Sequence, residues 1–312
     1  MNGDNLPGGI RRLTLPLPLG IRHVHCYLLP GDDGWTLVDT GLGLPDGLQR
    51  WAELLAEEGP VARIVVTHFH PDHAGGGADA QEATGAVVLQ GAHDYAQCER
   101  VWGRADWSER STDCLQANGL PQSLADELRG ESERFRAFIR FARQPQLLRE
   151  GDEIDSWRVL EFPGHADGHI CLLRDGVLVS GDHLLGEITP TVGLYPESRP
   201  DPLGDYLASL ERTTELAARL ALPGHGDPVP DPASRAREII AHHPRRLDET
   251  AAFLRPEPRS AYEVSVDLFG SGLDASSRRF ALAETLAHLE RLVRQGRARR
   301  TGDSSGVSYT SA

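Results

Sequence analysis

Thr67-His68-Phe69-His70-Pro71-Asp72-His73 puts four side chains able to bind a metal within six residues. The segment follows Ile64-Val65-Val66, an apolar, β-branched run that reads as a buried strand. A ligand cluster at the end of a strand aims several side chains at one place. On an extended backbone, residues two apart face the same side, so His68 and His70 address one point. Pro71 turns the chain, and Asp72 and His73 then address a neighbouring point. This spacing suits two metals close together better than one.

Three segments downstream repeat the pattern of a lone His or Asp beside glycine after a short apolar run. They are Gly164-His165-Ala166-Asp167-Gly168-His169, Ser180-Gly181-Asp182-His183 and Pro223-Gly224-His225-Gly226. Each reads as a strand-end loop with little side-chain bulk around the ligand. Upstream, Leu37-Val38-Asp39-Thr40-Gly41 has the same grammar. With these five motifs in this order, residues 10 to 230 resemble the metallo-β-lactamase superfamily.

The resemblance implies an α/β fold, the αββα sandwich. Two β-sheets lie face to face, helices cover both outer sides, and the metals sit at one sheet edge. It implies that His68, His70 and His165 hold a first metal, that Asp72, His73 and His225 hold a second, and that Asp182 bridges them. Asp39 is expected to orient the ligand loop from behind by hydrogen bonds, and His169 to support the site without binding metal. The ligand set, all His and Asp, is similar to that of the hydroxyacylglutathione hydrolase branch. The zinc β-lactamases of the common clinical type use a Cys ligand where this chain has Asp182, and no Cys follows Cys171. Penicillin hydrolysis is therefore not the expected activity.

The chemistry follows from the residue types. Imidazole with carboxylate suits zinc, iron or manganese, and the absence of thiolate removes the strongest bias towards zinc. Two divalent ions are expected, zinc first, with iron or manganese as alternatives. A metal lowers the pKa of bound water from about 15.7 to about 7, and two metals roughly 3.5–4 Å apart share the hydroxide and polarise the substrate oxygen. Asp72 can also accept a hydrogen bond from that hydroxide and steer it, a catalytic role. The expected reaction is hydrolysis of a small thioester, ester or lactone by a metal-bridging hydroxide.

Composition narrows the partners. All 32 basic residues are Arg, and the formal net charge is −14. That charge disfavours non-specific binding of nucleic acid by the whole protein. Cys26, Cys98, Cys114 and Cys171 form no C-x-x-C pair and read as free thiols in a reducing compartment. No signal peptide and no run of 18 apolar residues is evident, so a cytoplasmic protein without a membrane span is expected. A homodimer stays open.

Periodicity and turn residues set out the elements. Strands are expected over 13–19, 23–29, 35–38 and 86–89, and helices from Pro45 to Gly59 and over 72–84. The helix from Pro45 would bury Leu48, Trp51, Leu54 and Leu55. Residues 92–150 read as a charged helical insertion whose aromatic residues either line a substrate pocket or fill a core. Strands resume at 157–162. Asp175-Gly176 then marks a tight hairpin between 170–174 and 177–180. A helix is expected around 205–220. Most other histidines, His23, His25, His93, His242, His243 and His288, read as structural or exposed, while His183 is a candidate to face the pocket.

Prolines 228, 230 and 232 mark a boundary, giving a catalytic domain over 1–232 and a mainly helical module over 233–312. In the module, Leu282, Leu286, Leu289 and Val293 form a helical stripe. Residues 287–298 resemble the last helix and wing of a winged-helix domain, as in the branch of lactamase-like-protein-2 ribonucleases. Seven Arg lie between Arg278 and Arg300 against Glu284 and Glu290. This patch supports an alternative, a metal-dependent ribonuclease or phosphodiesterase; a second alternative is an iron-dependent redox member of the fold. The first reading predicts that the core keeps its activity on small substrates without residues 234–312.

Overall fold

The computed structural model describes residues 4–18, 22–56, 58–303 and 306–312. The first sheet grows in chain order, each strand adding beside the previous one. β1 (Asp4–Asn5), β2 (Arg11–Pro16), β3 (His23–Gly31) and β4 (Gly34–Val38) form an antiparallel meander. After helix α1 (Gly47–Leu55), β5 (Val61–Val66) pairs parallel to β4. Helices α2 (Pro71–Ala74) and α3 (Gly77–Thr84) lead to β6 (Val87–Gly91), again parallel. Then come α4 (Ala92–Val101), α5 (Trp107–Ala117) and α6 (Gln122–Phe135), before β7 (Gln146–Leu148) closes the sheet parallel to β6.

Several expectations shift here. The strand expected over 13–19 is β2 and covers 11–16, and Leu19 lies outside the described residues. Leu48 is 39% exposed, so Trp51 and Leu55 carry the buried face of α1. The helix expected over 72–84 is two helices. A side chain at Gly76, between them, would collide with the Thr40 carbonyl. The insertion ends in β7, so its last residues belong to the sheet.

The second sheet holds β8 (Glu153–Ile154), β9 (Trp157–Glu161), β10 (Ile170–Arg174), β11 (Val177–Gly181), β12 (Leu220–Pro223) and β13 (Val229–Pro230). Asp175 and Gly176 both adopt positive φ, 51° and 79°, the geometry of the tight hairpin between β10 and β11. Helix α7 (Pro202–Glu215) carries the chain from β11 to β12, which pair parallel. It starts three residues before the expected 205, where the Asp201 side chain accepts from Gly204 N at 3.0 Å.

Strand alternation sorts the apolar residues into three layers. Tyr27, Val38 and Val65 of the first sheet meet Trp157, Ile170, Leu172 and Leu222 of the second. Leu37, Ile64 and Val66 face the other way, onto Trp51, Leu55 and Ala80. Leu160, Cys171, Leu178 and Ala221 face outward from the second sheet, onto Leu203, Tyr206 and Leu210 of α7. The chain therefore builds the αββα sandwich that the resemblance implied.

Beyond the second sheet lie α8 (Pro232–Ala252), α9 (Ala261–Phe269), α10 (Ala275–Arg294) and an antiparallel hairpin, β14 (Ala298–Asp303) with β15 (Gly306–Ser311). Leu282, Leu286 and Leu289 of the predicted stripe are buried, and Val293 is half-buried. They share one apolar cluster with Tyr206 and Leu210 of α7 and with Leu115 and Leu128 of α5 and α6. The C-terminal helices thus pack directly onto the catalytic sandwich and the insertion.

Arg278, read above as part of a basic patch, is buried. Its guanidinium donates to Ser265 O at 3.0 Å and to Gly270 O, carbonyls at the end of α9. Arg278→Met keeps much of the volume but leaves these carbonyls bare. It is expected to lower stability by about 1.5–3 kcal/mol, the range for a hydrogen bond to a charged group. The check is urea unfolding, where an unchanged midpoint would contradict this.

Candidate metal centre

Every residue expected at the site lies at one edge of the sandwich. Asp39 follows β4 and His68 to His73 follow β5, which pairs parallel to β4; Asp182 follows β11 and His225 follows β12, which pairs parallel to β11. His165 lies in the loop between β9 and β10. The two sheets are stitched together at this edge. Ile170 N donates to Thr67 O at 2.9 Å, His25 N to Gly224 O at 2.7 Å, and the Tyr27 hydroxyl to Pro223 O at 2.6 Å.

Hydrogen bonds on the far side of each ring fix the tautomers. A carbonyl can only accept, so the bonds from His165 Nδ1 to Thr191 O and from His225 Nδ1 to His23 O, both 2.7 Å, put the proton on Nδ1. Asp39 does the same for His73, whose Nδ1 lies 2.8 Å from Oδ2. The Thr67 hydroxyl donates to Asp39 Oδ2 at 2.8 Å, so it accepts from His68 Nδ1 at 3.0 Å. Each of these four rings therefore presents an unprotonated Nε2 to the cavity when neutral. For His73, His165 and His225 that nitrogen is buried with no hydrogen-bond partner, as is Asp182 Oδ1.

These atoms converge. His68 Nε2 and His70 Nδ1 are 3.0 Å apart. Asp182 lies 3.6 Å from His165 Nε2, 3.5 Å from His73 Nε2 and 3.3 Å from His225 Nε2. Asp72 Oδ2 lies 3.3 Å from the same His225 nitrogen. Three overlapping sets, His68-His70-His165, His68-His73-Asp182 and Asp72-His73-His225, each keep their ligand atoms within 4.8 Å. Buried nitrogens without partners, facing carboxylates, are a donor set that divalent cations fit.

Electrostatics divides the set in two. Burial pushes the His70 pKa down to about 3, helped by His165, and pushes His68 well below its ordinary value. Burial opposes charge on His225 too, but Asp182 and Asp72 outweigh it and lift its pKa to about 10. His73 is raised well above its ordinary value, since Asp182, Asp39 and Asp72 overcome its burial. At pH 7 a cation must therefore displace protons from His73 and His225. Titrating a divalent ion into the protein should release protons, and affinity should fall as pH falls. Heats of binding that do not depend on the buffer's ionisation enthalpy would contradict this.

Glycine permits the convergence. A side chain at Gly224 would stand 2.5 Å from both Asp182 Oδ1 and His73 Cε1. Gly181 has φ 47°, and a side chain there would stand 2.8 Å from His169 Nε2.

Asp39 accepts from Thr67 N as well as from the Thr67 hydroxyl and His73, tying the start of the ligand loop to His73. His169 stacks on His68, at 4.8 Å, and accepts from Asp182 N at 3.1 Å, so it is turned away from the ligand cavity. His183 does not face the pocket. It lies in the core of α7, bonded to Thr213 Oγ1 at 2.7 Å and stacked on Phe162. Asp39→Ala is expected to lower metal affinity about 10–100-fold, as losses behind a ligand do. Unchanged affinity by chelator competition would count against it.

Sequence reasoning passed over several supporting groups. His25 Nε2 bonds Gly226 O at 3.0 Å, and His23 Nε2 accepts from Gly226 N at 3.1 Å, so this pair braces the His225 loop. Asp94, fully buried, accepts from Phe69 N at 2.9 Å, and the Trp102 indole donates to Phe69 O at 2.7 Å. The insertion thus grips the ligand loop from behind. Its Trp102, Trp107, Ile139 and Phe141 line a cavity of about 250 Å³ rimmed by Arg136, Arg140 and Arg143.

Comparison with known proteins agrees with this architecture. Residues 19–225 match the family model of the metallo-beta-lactamase superfamily, and residues 247–310 match the model described as metallo-beta-lactamase-like, C-terminal domain. The chain belongs to the metallo-beta-lactamase superfamily and is a metallo-hydrolase of that fold. A crystal structure of a metallo-beta-lactamase family protein from Thermus thermophilus is similar to it with a TM-score of 0.84 and 36% identity, over 98% of this chain and 99% of that one. "Probable metallo-hydrolase YqjP" of Bacillus subtilis is 28% identical over 301 residues, 89% of this chain and 90% of its own length. "Atrochrysone carboxyl ACP thioesterase" of Claviceps purpurea is 24% identical over 260 residues, 79% of this chain and 66% of its own length.

Proposed function

We propose that this chain is a two-metal hydrolase of a small acyl substrate, with thioesters as the first class and esters and lactones next. The observation that carries the reading is the set of partnerless buried nitrogens on His73, His165 and His225 converging on Asp182. His68, His70 and His165 would hold one ion, Asp72, His73 and His225 the other, with Asp182 between them. Zinc is the first candidate for both ions, with iron or manganese next. Divalent ions, when bound, supply Lewis acidity that acidifies water and polarises an acyl carbonyl.

The chain's own residues do the rest. Asp72, with 20% of its side chain exposed, reaches the open side of the site and can accept a hydrogen bond from the attacking water. Asp39 and the Thr191 and His23 carbonyls hold the imidazoles so that little reorganisation accompanies the reaction. Among the described residues no nucleophile is activated beside the site. Cys171 lies near His169, but burial pushes its thiol pKa well up. The thioesterase among the relatives supports an acyl substrate.

The arginines of the C-terminal segment favour this reading over a nuclease. Arg278 is buried, Arg291 and Arg294 pair with Asp201, Arg297 with Asp248 and Arg300 with Glu290. Such pairs leave less charge to release counterions from a phosphate backbone.

Protein purified without chelator should approach two metal equivalents, and Asp182→Ala should lose one of them. Hydrolysis in oxygen-18 water should label the product acid without a burst. A covalent acyl-enzyme seen by mass spectrometry, or a constant single equivalent after reconstitution, would overturn the mechanism. Metal-dependent cleavage of single-stranded RNA at near-physiological salt, lost in His68→Ala, would promote the nuclease instead.

A further inference from the structure

Residues 182–201 contain no helix or strand, yet they carry the carbonyl that fixes His165. That carbonyl belongs to Thr191. Three residues before it, Ile188 O accepts from Arg235 Nη2 at 3.1 Å, and Arg235 Nε also donates to Leu185 O at 2.8 Å. Three residues after it, Leu194 N donates to Ala283 O of α10 at 3.0 Å. Further on, Arg291 pairs with Asp201 at 2.7 Å, and Arg294 donates to Pro200 O at 3.3 Å. Val192 is buried in the same apolar cluster as Leu282 and Leu286 of α10.

Thr191 thus lies midway between two anchors, and both come from the C-terminal helices. A loop of this length without regular structure has no ladder of its own to hold a carbonyl in place. Other contacts reach the loop near its two ends. At its start the Tyr206 hydroxyl donates to His183 O at 3.1 Å and the Ser180 hydroxyl to Leu184 O at 3.1 Å. Towards its far end Arg110 of α5 pairs with Glu197, and Arg199 N donates to Asp167 Oδ2 at 2.9 Å.

We propose that Arg235 is a positioning residue for the metal centre, acting through the Thr191 carbonyl to hold the His165 imidazole with Nε2 towards the site. The C-terminal helices are then part of the hydrolase's ligand scaffold. Removing residues 234–312 should cost the site His165, contrary to the expectation of a core that works without them. This rests on the proposed role of His165 as a ligand.

Arg235 suits the task. Its planar guanidinium reaches two carbonyls of one loop at once, while its third nitrogen pairs with Glu238 at 3.0 Å. A Lys ammonium is a point charge on a flexible stem and cannot span both carbonyls in that fixed fork.

The test uses the full chain. In the apo protein, the His165 Nδ1 proton should exchange slowly with solvent by nitrogen-15 NMR, and faster in Arg235→Ala. With zinc, Arg235→Ala should weaken one of two binding steps by about 10–100-fold and leave the other unchanged. In a His165→Ala background, Arg235→Ala should have no further effect on zinc affinity. Glu238→Gln, which leaves the fork intact, should behave as wild type in both readouts. If Arg235→Ala does not fold, Arg235→Lys is read in the same way and should show the same two changes.

A folded variant with slow His165 exchange and unchanged zinc binding would overturn the proposal. So would an effect of Arg235→Ala that persists in full without His165. Should wild type bind no divalent ion, the proposed function fails, while the exchange of the His165 proton still decides on Arg235.

Discussion

One buried carboxylate sets the geometry of the ligand loop. Asp39 follows β4 with a positive φ of 61°, a conformation that Asp tolerates better than most residues. Its two oxygens take bonds from the Thr67 amide, the Thr67 hydroxyl and His73 Nδ1. Through the Thr67 hydroxyl it also fixes His68. Two imidazoles of the loop after β5 therefore present Nε2 because the end of β4 lies beside them. Without that carboxylate both rings could flip, and the spacing of the ligands along the chain would guarantee nothing.

The site is also where the fold concentrates unfavourable groups. Two carboxylates come within 3.3 Å of one imidazole nitrogen, and burial works against the charge on each. Such a cluster persists only if surrounding structure holds it and opposite charge offsets it. The sandwich provides the holding. Its two sheets are joined at this edge by backbone bonds from Ile170 to Thr67 and from His25 to Gly224. Glycines at 181 and 224 let backbone approach where any side chain would intrude. Stability and site formation are thus coupled through the same few contacts.

Around this edge the additions to the sandwich work from outside. The insertion reaches the ligand loop with Asp94 and Trp102. The C-terminal helices reach the 182–201 loop with Arg235, Ala283 and Arg291. Because α5, α6 and α10 share one apolar cluster, both additions rest on each other as well as on the sheet. Of the arginines that look like a patch along the chain, Arg291 and Arg294 serve this bracing, and Arg278 ties α9 to α10.

The sequence alone marked the candidate metal-binding residues and the strand ends that carry them, while the αββα order was implied by the family resemblance those motifs carry. Those features are local: a β-branched run, a turn residue and a ligand leave a mark within a few positions. The hairpin at Asp175-Gly176 was legible for the same reason, since positive φ at two successive residues selects Asp and Gly. Only the tertiary structure decided which nitrogen each imidazole presents. His165 and His225 owe that to the carbonyls of Thr191 and His23, and a backbone carbonyl has no residue signature. It also turned His183 into the core of α7 and split the 72–84 helix at Gly75-Gly76, where Thr40 and Phe138 crowd the backbone. These outcomes depend on groups far apart in the chain that meet only when the sheets close.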